Sequence, residues 1–267
     1  MKNDCKQLAD RIRRVIIETA HGAGNQGVHI GGALSMVEIL AVLYGEYDIT
    51  DYSNPNRNRV VLSKGHDCLG LYATLNVMGV ISDDEIKMNF LQDGGFLPTH
   101  PVKNIKKGIE CSSGSLGQGI SFAVGLALAN KIKNITSNVF VIVGDGECNE
   151  GSCWEAMMSA NQYKLDNLIM IVDRNGFQSD GAVDDIMKVD LFSAISAMGW
   201  NVLEVDGHNV DDIYSALRDG MKLHDGPVAI VANTQKGHGV SFMENNNLWH
   251  HGHLSEEQYK QAMEEIK

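Results

Sequence analysis

Asp145 stands between Gly144 and Gly146, where the apolar run Val139 to Val143 stops. Flanking glycines carry no Cβ, so backbone N–H groups can come close to a phosphate, while the carboxylate offers oxygen to a hard cation such as Mg2+. A second apolar run, "LIMIVDRN", ends in Asn175, a neutral oxygen ligand. Residues 147 to 174 separate Gly146 from Asn175, a span of 28 that accommodates one helix and one strand. The two strand ends are therefore expected side by side, at the carboxyl edge of a parallel sheet where ligands bind. Mg2+ usually takes one or two protein oxygens and completes its octahedron with phosphate and water. Asp145 and Asn175 with a bound diphosphate meet that demand.

Two other motifs compete. An EF-hand loop starting at Asp145 would need Gly at its sixth position and Glu at its twelfth, where the chain has Glu150 and Ala156. "GAGNQG" (22–27) fits the dinucleotide-binding pattern G-x-G-x-x-G. Helical spacing precedes it and no helix opens directly after it, so the strand–turn–helix setting that gives the pattern meaning is missing. "HHGH" (250–253) lacks the accompanying Cys or acid spacing of structural zinc.

The elements that must position these residues are legible as periodicities. Leu8, Ile12, Val15, Ile16 and Thr19 recur at helical spacing, and "ALSMVEILAVLYGEY" repeats the signal with Ser35 able to cap it. Two helices are expected before the first strand, "RVVL" (59–62). "NVFVIV", "NLIMIV", "NVLEV" and "PVAIVAN" are short apolar runs separated by helical patterns, as in strands buried on both faces. The expected fold class is α/β: doubly wound, with a mainly parallel sheet and helices on both faces, as one domain over 1–267. His208 is expected to open a helix over 209–222. The aperiodic segments 92–115 and 174–190 are expected to be mobile or to line a site.

With 267 residues the chain can bury roughly 70–75% of its unfolded surface and needs no structural metal or disulfide. Its net charge of −12 disfavours a nucleic-acid or anionic-membrane surface. Five cysteines without a CxxC pair fit a reducing cytosol, and neither a secretory signal nor a spanning run is evident, so a cytoplasmic location is expected.

"LSKGHDCLGLYATL", "THP", "GSLGQGISFAVGLALA", "GDGECNEGSCWEA" with Asn175 downstream, and "GFQSDG" together resemble the thiamine diphosphate-binding N-terminal section of transketolase, from about residue 8 to the C-terminus. The resemblance implies that Asp145, Asn175 and the Phe177 carbonyl hold Mg2+, or another divalent cation such as Ca2+ or Mn2+. It places Gly144, Gly146 and Asn175 at the diphosphate, Glu150 as an acid behind the metal site, and Gly114, Ser115 and Leu116 beside the aminopyrimidine. His29, His66, His100 and one of His250 and His251 match positions where the family keeps histidines around cofactor and sugar. Ungapped spacing from Trp249 to Tyr259 favours His250 and the following glycine favours His251; His250 is taken. His66 and His250 are thereby expected at the cofactor as well as in catalysis. Neutral imidazole both donates and accepts hydrogen bonds, and so suits sugar hydroxyls and a carbonyl oxygen that gains or loses a proton.

Ile30, Thr99 and Ser115 depart from the residues common in the family. The resemblance implies transfer of a two-carbon ketol unit from a ketose phosphate to an aldose. It also implies a second subunit that carries the pyrimidine-binding and C-terminal domains, in an α2β2 assembly. Alternatives are a subunit of a deoxyxylulose phosphate synthase-like or 2-oxoacid dehydrogenase E1-like enzyme, or a non-catalytic diphosphate-binding subunit.

Overall fold

A computed structural model describes residues 4–266. The chain runs through Cys5–Gly22 (α1), Gly31–Ser35 (α2) and Val37–Glu46 (α3) to Arg59–Leu62 (β1). Cys68–Val77 (α4), Asp83–Asn89 (α5) and Gln118–Ile132 (α6) precede Val139–Gly144 (β2), Gly151–Gln162 (α7) and Leu168–Arg174 (β3). A hairpin of Phe177–Gln178 (β4) and Gly181–Ala182 (β5) leads into Val183–Ile186 (α8) and Leu191–Ala197 (α9). Asn201–Asp206 (β6), Val210–Gly220 (α10), Val228–Asn233 (β7) and Glu256–Glu265 (α11) complete it.

Strands β1, β2, β3, β7 and β6 lie in that order in one sheet, and every neighbouring pair is parallel. All six residues of β2 are buried, as are all of β3 but Arg174 and all of β7 but Asn233. This matches their mainly apolar content on consecutive positions, because helices cover both faces. One apolar layer joins α1, α3, α4 and α10 to Phe140, Ile142, Ile169, Ile171 and Ile230. The other packs α6, α7 and α9 against Val141, Val143, Met170 and Val172. Consecutive strand residues point to opposite layers, so each central strand serves both. The doubly wound α/β expectation holds.

Two local expectations are corrected. The second helical signal is two helices, broken at Met36. Ser35 caps neither of them through its side chain: its buried Oγ donates to Asp173 Oδ2 at 2.6 Å and lies 2.9 Å from the Gly32 carbonyl. An acid buried in β3 needs donors, and that demand outweighs the local capping preference. Helix α10 begins at Val210, capped by Asn209 Oδ1, which accepts from the Asp211 and Asp212 amides. His208 bridges instead, with Nδ1 3.1 Å from Glu38 Oε2 on α3 and Nε2 accepting the Gln235 amide.

Candidate active site

Register brings the site together. Gly144 of β2 pairs with Asp173 of β3, and Asp173 pairs with Ala232 of β7, so the turns leaving these strands share one edge. β1 delivers Lys64, His66 and Asp67 to the same edge. Between the turns lies a cavity of about 410 Å³ whose lining includes Asp145, Gly146, Asn175, Phe177, His66 and His250.

Asp145 and Asn175, expected from spacing alone, thus face one cavity. Asp145 Oδ1 accepts the Gly146 amide at 2.8 Å and Oδ2 accepts the Gly176 amide at 2.7 Å. Each oxygen keeps a further lone pair. Burial, reinforced by the Asp173 carboxylate, raises the Asp145 carboxyl to about 6. A buried acid held this way gains from a cation. Asn175 Oδ1 accepts the Phe177 amide at 3.1 Å, while its Nδ2 donates to Asp173 Oδ2 at 3.0 Å, which fixes the oxygen of the side chain away from Asp173. At Gly146 a Cβ would come within 2.8 Å of Gln178 Oε1, so the turn admits only glycine without displacing its neighbour.

Behind the cavity sits an ionic network that sequence reading missed. Lys64 Nζ pairs with Asp173, with Asp67 Oδ2 at 2.9 Å and with the Gly32 carbonyl at 3.1 Å. Thr234 Oγ1 donates to Asp173 as well. Burial works against the charge on Lys64, but Asp173 and Asp67 outweigh it and hold the ammonium above its usual range. Glu147 is a second omission. Its carboxylate accepts Ser63 Oγ at 2.5 Å and the amides of Gly117 and Gly144 at 2.9 and 3.1 Å, tying together β1, β2 and the start of α6. Burial nonetheless raises its carboxyl. The expected acid, Glu150, is exposed at the cavity rim, so the buried position belongs to Glu147.

The histidines converge. His29 has ring centroids of His66, His100, His250 and His251 at 5.2, 5.9, 5.1 and 4.8 Å. His29, His66 and His250 line the cavity; His100 is exposed beside Gly114, where a Cβ would meet its ring at 2.7 Å. His251 is exposed and packs on Gly27, the last glycine of "GAGNQG", so that motif shapes a turn against a histidine. Gly114 and Leu116 line the cavity, whereas Ser115 is exposed and outside the lining. Lys236, also unforeseen, places Nζ 2.9 Å from His250 Nδ1 and 3.0 Å from Asn247 Oδ1. Burial brings its ammonium down to about 8.

Burial lowers His29 to about 3 and His250 to about 4, so both are neutral at pH 7. Unfolded histidine takes a proton near 6.5. Between that pH and about 4 the unfolded chain therefore binds protons that these folded residues refuse, and stability falls as the solution is acidified. Urea melts of the unliganded chain are expected to show this decline, and His29→Gln is expected to make it shallower. An unchanged slope would remove His29 from the account.

A carboxylate, an amide oxygen and glycine turns thus meet at one parallel-sheet edge, with a cluster of imidazoles beside them. Comparison with known proteins agrees. Residues 5–266 match the family model described as transketolase, thiamine diphosphate binding domain. The chain is 38% identical over 264 residues to an apulose-4-phosphate transketolase subunit of Phocaeicola vulgatus, covering 97% of itself and 92% of that relative. It is 39% identical to 6-deoxy-6-sulfo-D-fructose transketolase subunit SqwG of a Clostridium species, covering 99% and 96%. Against human transketolase the identity is 36%, with 98% of this chain matching 42% of that protein. The transketolase structure from Leishmania mexicana superposes with a TM-score of 0.89 at 28% identity, covering all of this chain and 42% of that one. The chain belongs to the transketolase family and corresponds to its thiamine diphosphate-binding domain.

Proposed function

We propose that this chain is the cofactor-anchoring subunit of a split, thiamine diphosphate- and Mg2+-dependent transketolase. The observation that carries the reading is the shared cavity of Asp145, Asn175 and the histidine cluster. The group fits the residues present: Asp145 is a buried carboxylate raised by desolvation, and His29 Nδ1 is a buried polar atom without a partner. Asp145, Asn175 and the Phe177 carbonyl would hold the cation, and Gly144, Gly146 and His66 would face the diphosphate. When bound, thiamine diphosphate supplies the carbanion chemistry needed to break a C–C bond next to a carbonyl. His29 and His250, neutral at working pH, hydrogen-bond sugar hydroxyls or the reacting oxygen, and His100 reaches the donor from the rim. Lys236 places positive charge beside His250 and keeps that ring uncharged.

Relatives named as subunits, matched over nearly their whole length, support a separate polypeptide bearing the pyrimidine-binding and C-terminal domains. An α2β2 assembly would then trap the cofactor between chains. The whole described region acts as one domain in this reading. Five unpaired, buried cysteines suit a cytoplasmic enzyme, and among the described residues no helix is long and apolar enough to cross a membrane. Substrates are ketose phosphates and aldoses.

Mixing the chain with the candidate second subunit, thiamine diphosphate and Mg2+ is expected to yield ketol transfer across a panel of ketose phosphates, with neither polypeptide active alone. Full activity of this chain by itself would overturn the split reading. In the assembled enzyme His100→Ala is expected to lower turnover about 100-fold, with little change in cofactor affinity. Equal losses in both would make His100 structural.

A further inference from the structure

The buried trio behind the cavity holds two carboxylates, Asp67 and Asp173, against one ammonium, Lys64. Lys64 is already matched by Asp173 and the Gly32 carbonyl, and Asp173 also receives Ser35, Thr234 and Asn175. Asp67 is left with less. It is 2% exposed, its Oδ2 is shared by Lys64 Nζ at 2.9 Å and His66 Nε2 at 3.2 Å, and its Oδ1 has no partner.

We infer that Asp67 is a positioning residue for His66, holding that ring as the tautomer protonated on Nε2 and leaving Nδ1 as the acceptor. An ionised carboxylate only accepts, so the nitrogen that faces it must carry hydrogen, and the other nitrogen of a neutral ring is then a bare lone pair. His66 lines the cavity and has the His29 and His250 rings at 5.2 and 5.4 Å, so the tautomer decides what it offers there.

Asp67 remains ionised. Burial opposes the charge, but His66 and Lys64 outweigh it and keep the carboxyl well below its usual range. Titratable groups face it from every side. Lys64 and His66 share its turn, His29 precedes α2, His100 comes from the loop before α6, Lys236 follows β7, and His250 precedes α11. Space for the carboxylate exists because residue 32 has no side chain: a Cβ on Gly32 would sit 2.2 Å from Oδ2 and 2.4 Å from Oδ1.

The catalytic consequence rests on the proposed transketolase reading; the tautomer does not. Long-range 1H–15N correlation spectra of the histidine-labelled chain are expected to show His66 with hydrogen on Nε2 alone. Asp67→Ala should give a mixture of tautomers, whereas Asp67→Asn, which keeps an acceptor oxygen, should restore the single form. Gly32→Ala, which pushes the carboxylate aside, should reproduce the mixture and covers the case in which the Asp67→Ala chain does not fold.

In the assembled enzyme with thiamine diphosphate and Mg2+, Asp67→Ala is expected to cut kcat by about tenfold or more, as loss of an orienting carboxylate does. Asp67→Asn should recover most of it. His66 spectra unaltered in both Asp67→Ala and Gly32→Ala would overturn the inference whatever the enzyme does. Altered tautomers in those variants, together with a wild-type assembly that transfers no ketol group, would retain the positioning and discard the transketolase reading.

Discussion

Asp145→Ala is expected to eliminate cation-dependent binding of thiamine diphosphate, weakening it by more than about 100-fold, since even outer partners of metal ligands cost 10- to 100-fold. Turnover of the assembled enzyme should fall at least as far. The unliganded fold should survive, because the removed carboxylate is itself strained by burial and by Asp173. The Gly146 and Gly176 amides lose their acceptor, a partial offset. Asp145→Asn separates the roles: it keeps an oxygen for one amide and removes the charge. Calorimetric titration with thiamine diphosphate and Mg2+ reads the first effect and thermal melts of the free chain read the second. Wild-type affinity in Asp145→Asn would show that charge at this position is not what anchors the cation.

Lys64→Met has the largest expected effect on stability. Lys64 and Asp173 are 1% and 0% exposed, so removing the ammonium strands two carboxylates in the interior. Breaking a buried pair from one side costs about 3–5 kcal/mol. Urea denaturation should register a loss in that range. Adding Asp173→Asn to Lys64→Met should return part of it, because the neutral side chain no longer needs a counter-ion. A Lys64→Met chain within about 1 kcal/mol of wild type would contradict the assigned network, given what such pairs cost when broken.

Strands β2, β3 and β7 are legible in sequence because burial on both faces leaves Val, Ile, Leu, Met, Phe and Ala along them until their last one or two residues. Asp145 and Asn175 are legible because both stand where such runs stop. The network behind them is not. Lys64 meets Asp173 across 109 residues of sequence and Ser35 meets it across 138, so no local spacing records either contact. Asp173 lies inside an apolar strand, and its burial becomes intelligible only once Lys64, Thr234 and Asn175 surround it. Glu147 and Glu150 flank one turn, and a linear pattern cannot say which folds inward. Helix geometry also hid the break at Met36, since apolar residues continue across it and only backbone angles change.

A Cβ at residue 32 would lie under 2.5 Å from both Asp67 carboxylate oxygens, which couples two positions 35 apart in the chain. Among natural variants of this protein, an acid at 67 should tolerate nothing larger than hydrogen at 32. Where 67 has drifted to alanine or serine, that restriction lifts and 32 becomes free to drift as well. An engineer who wishes to enlarge the side chain at 32 must therefore first retire the carboxylate opposite, and the order of the two changes matters.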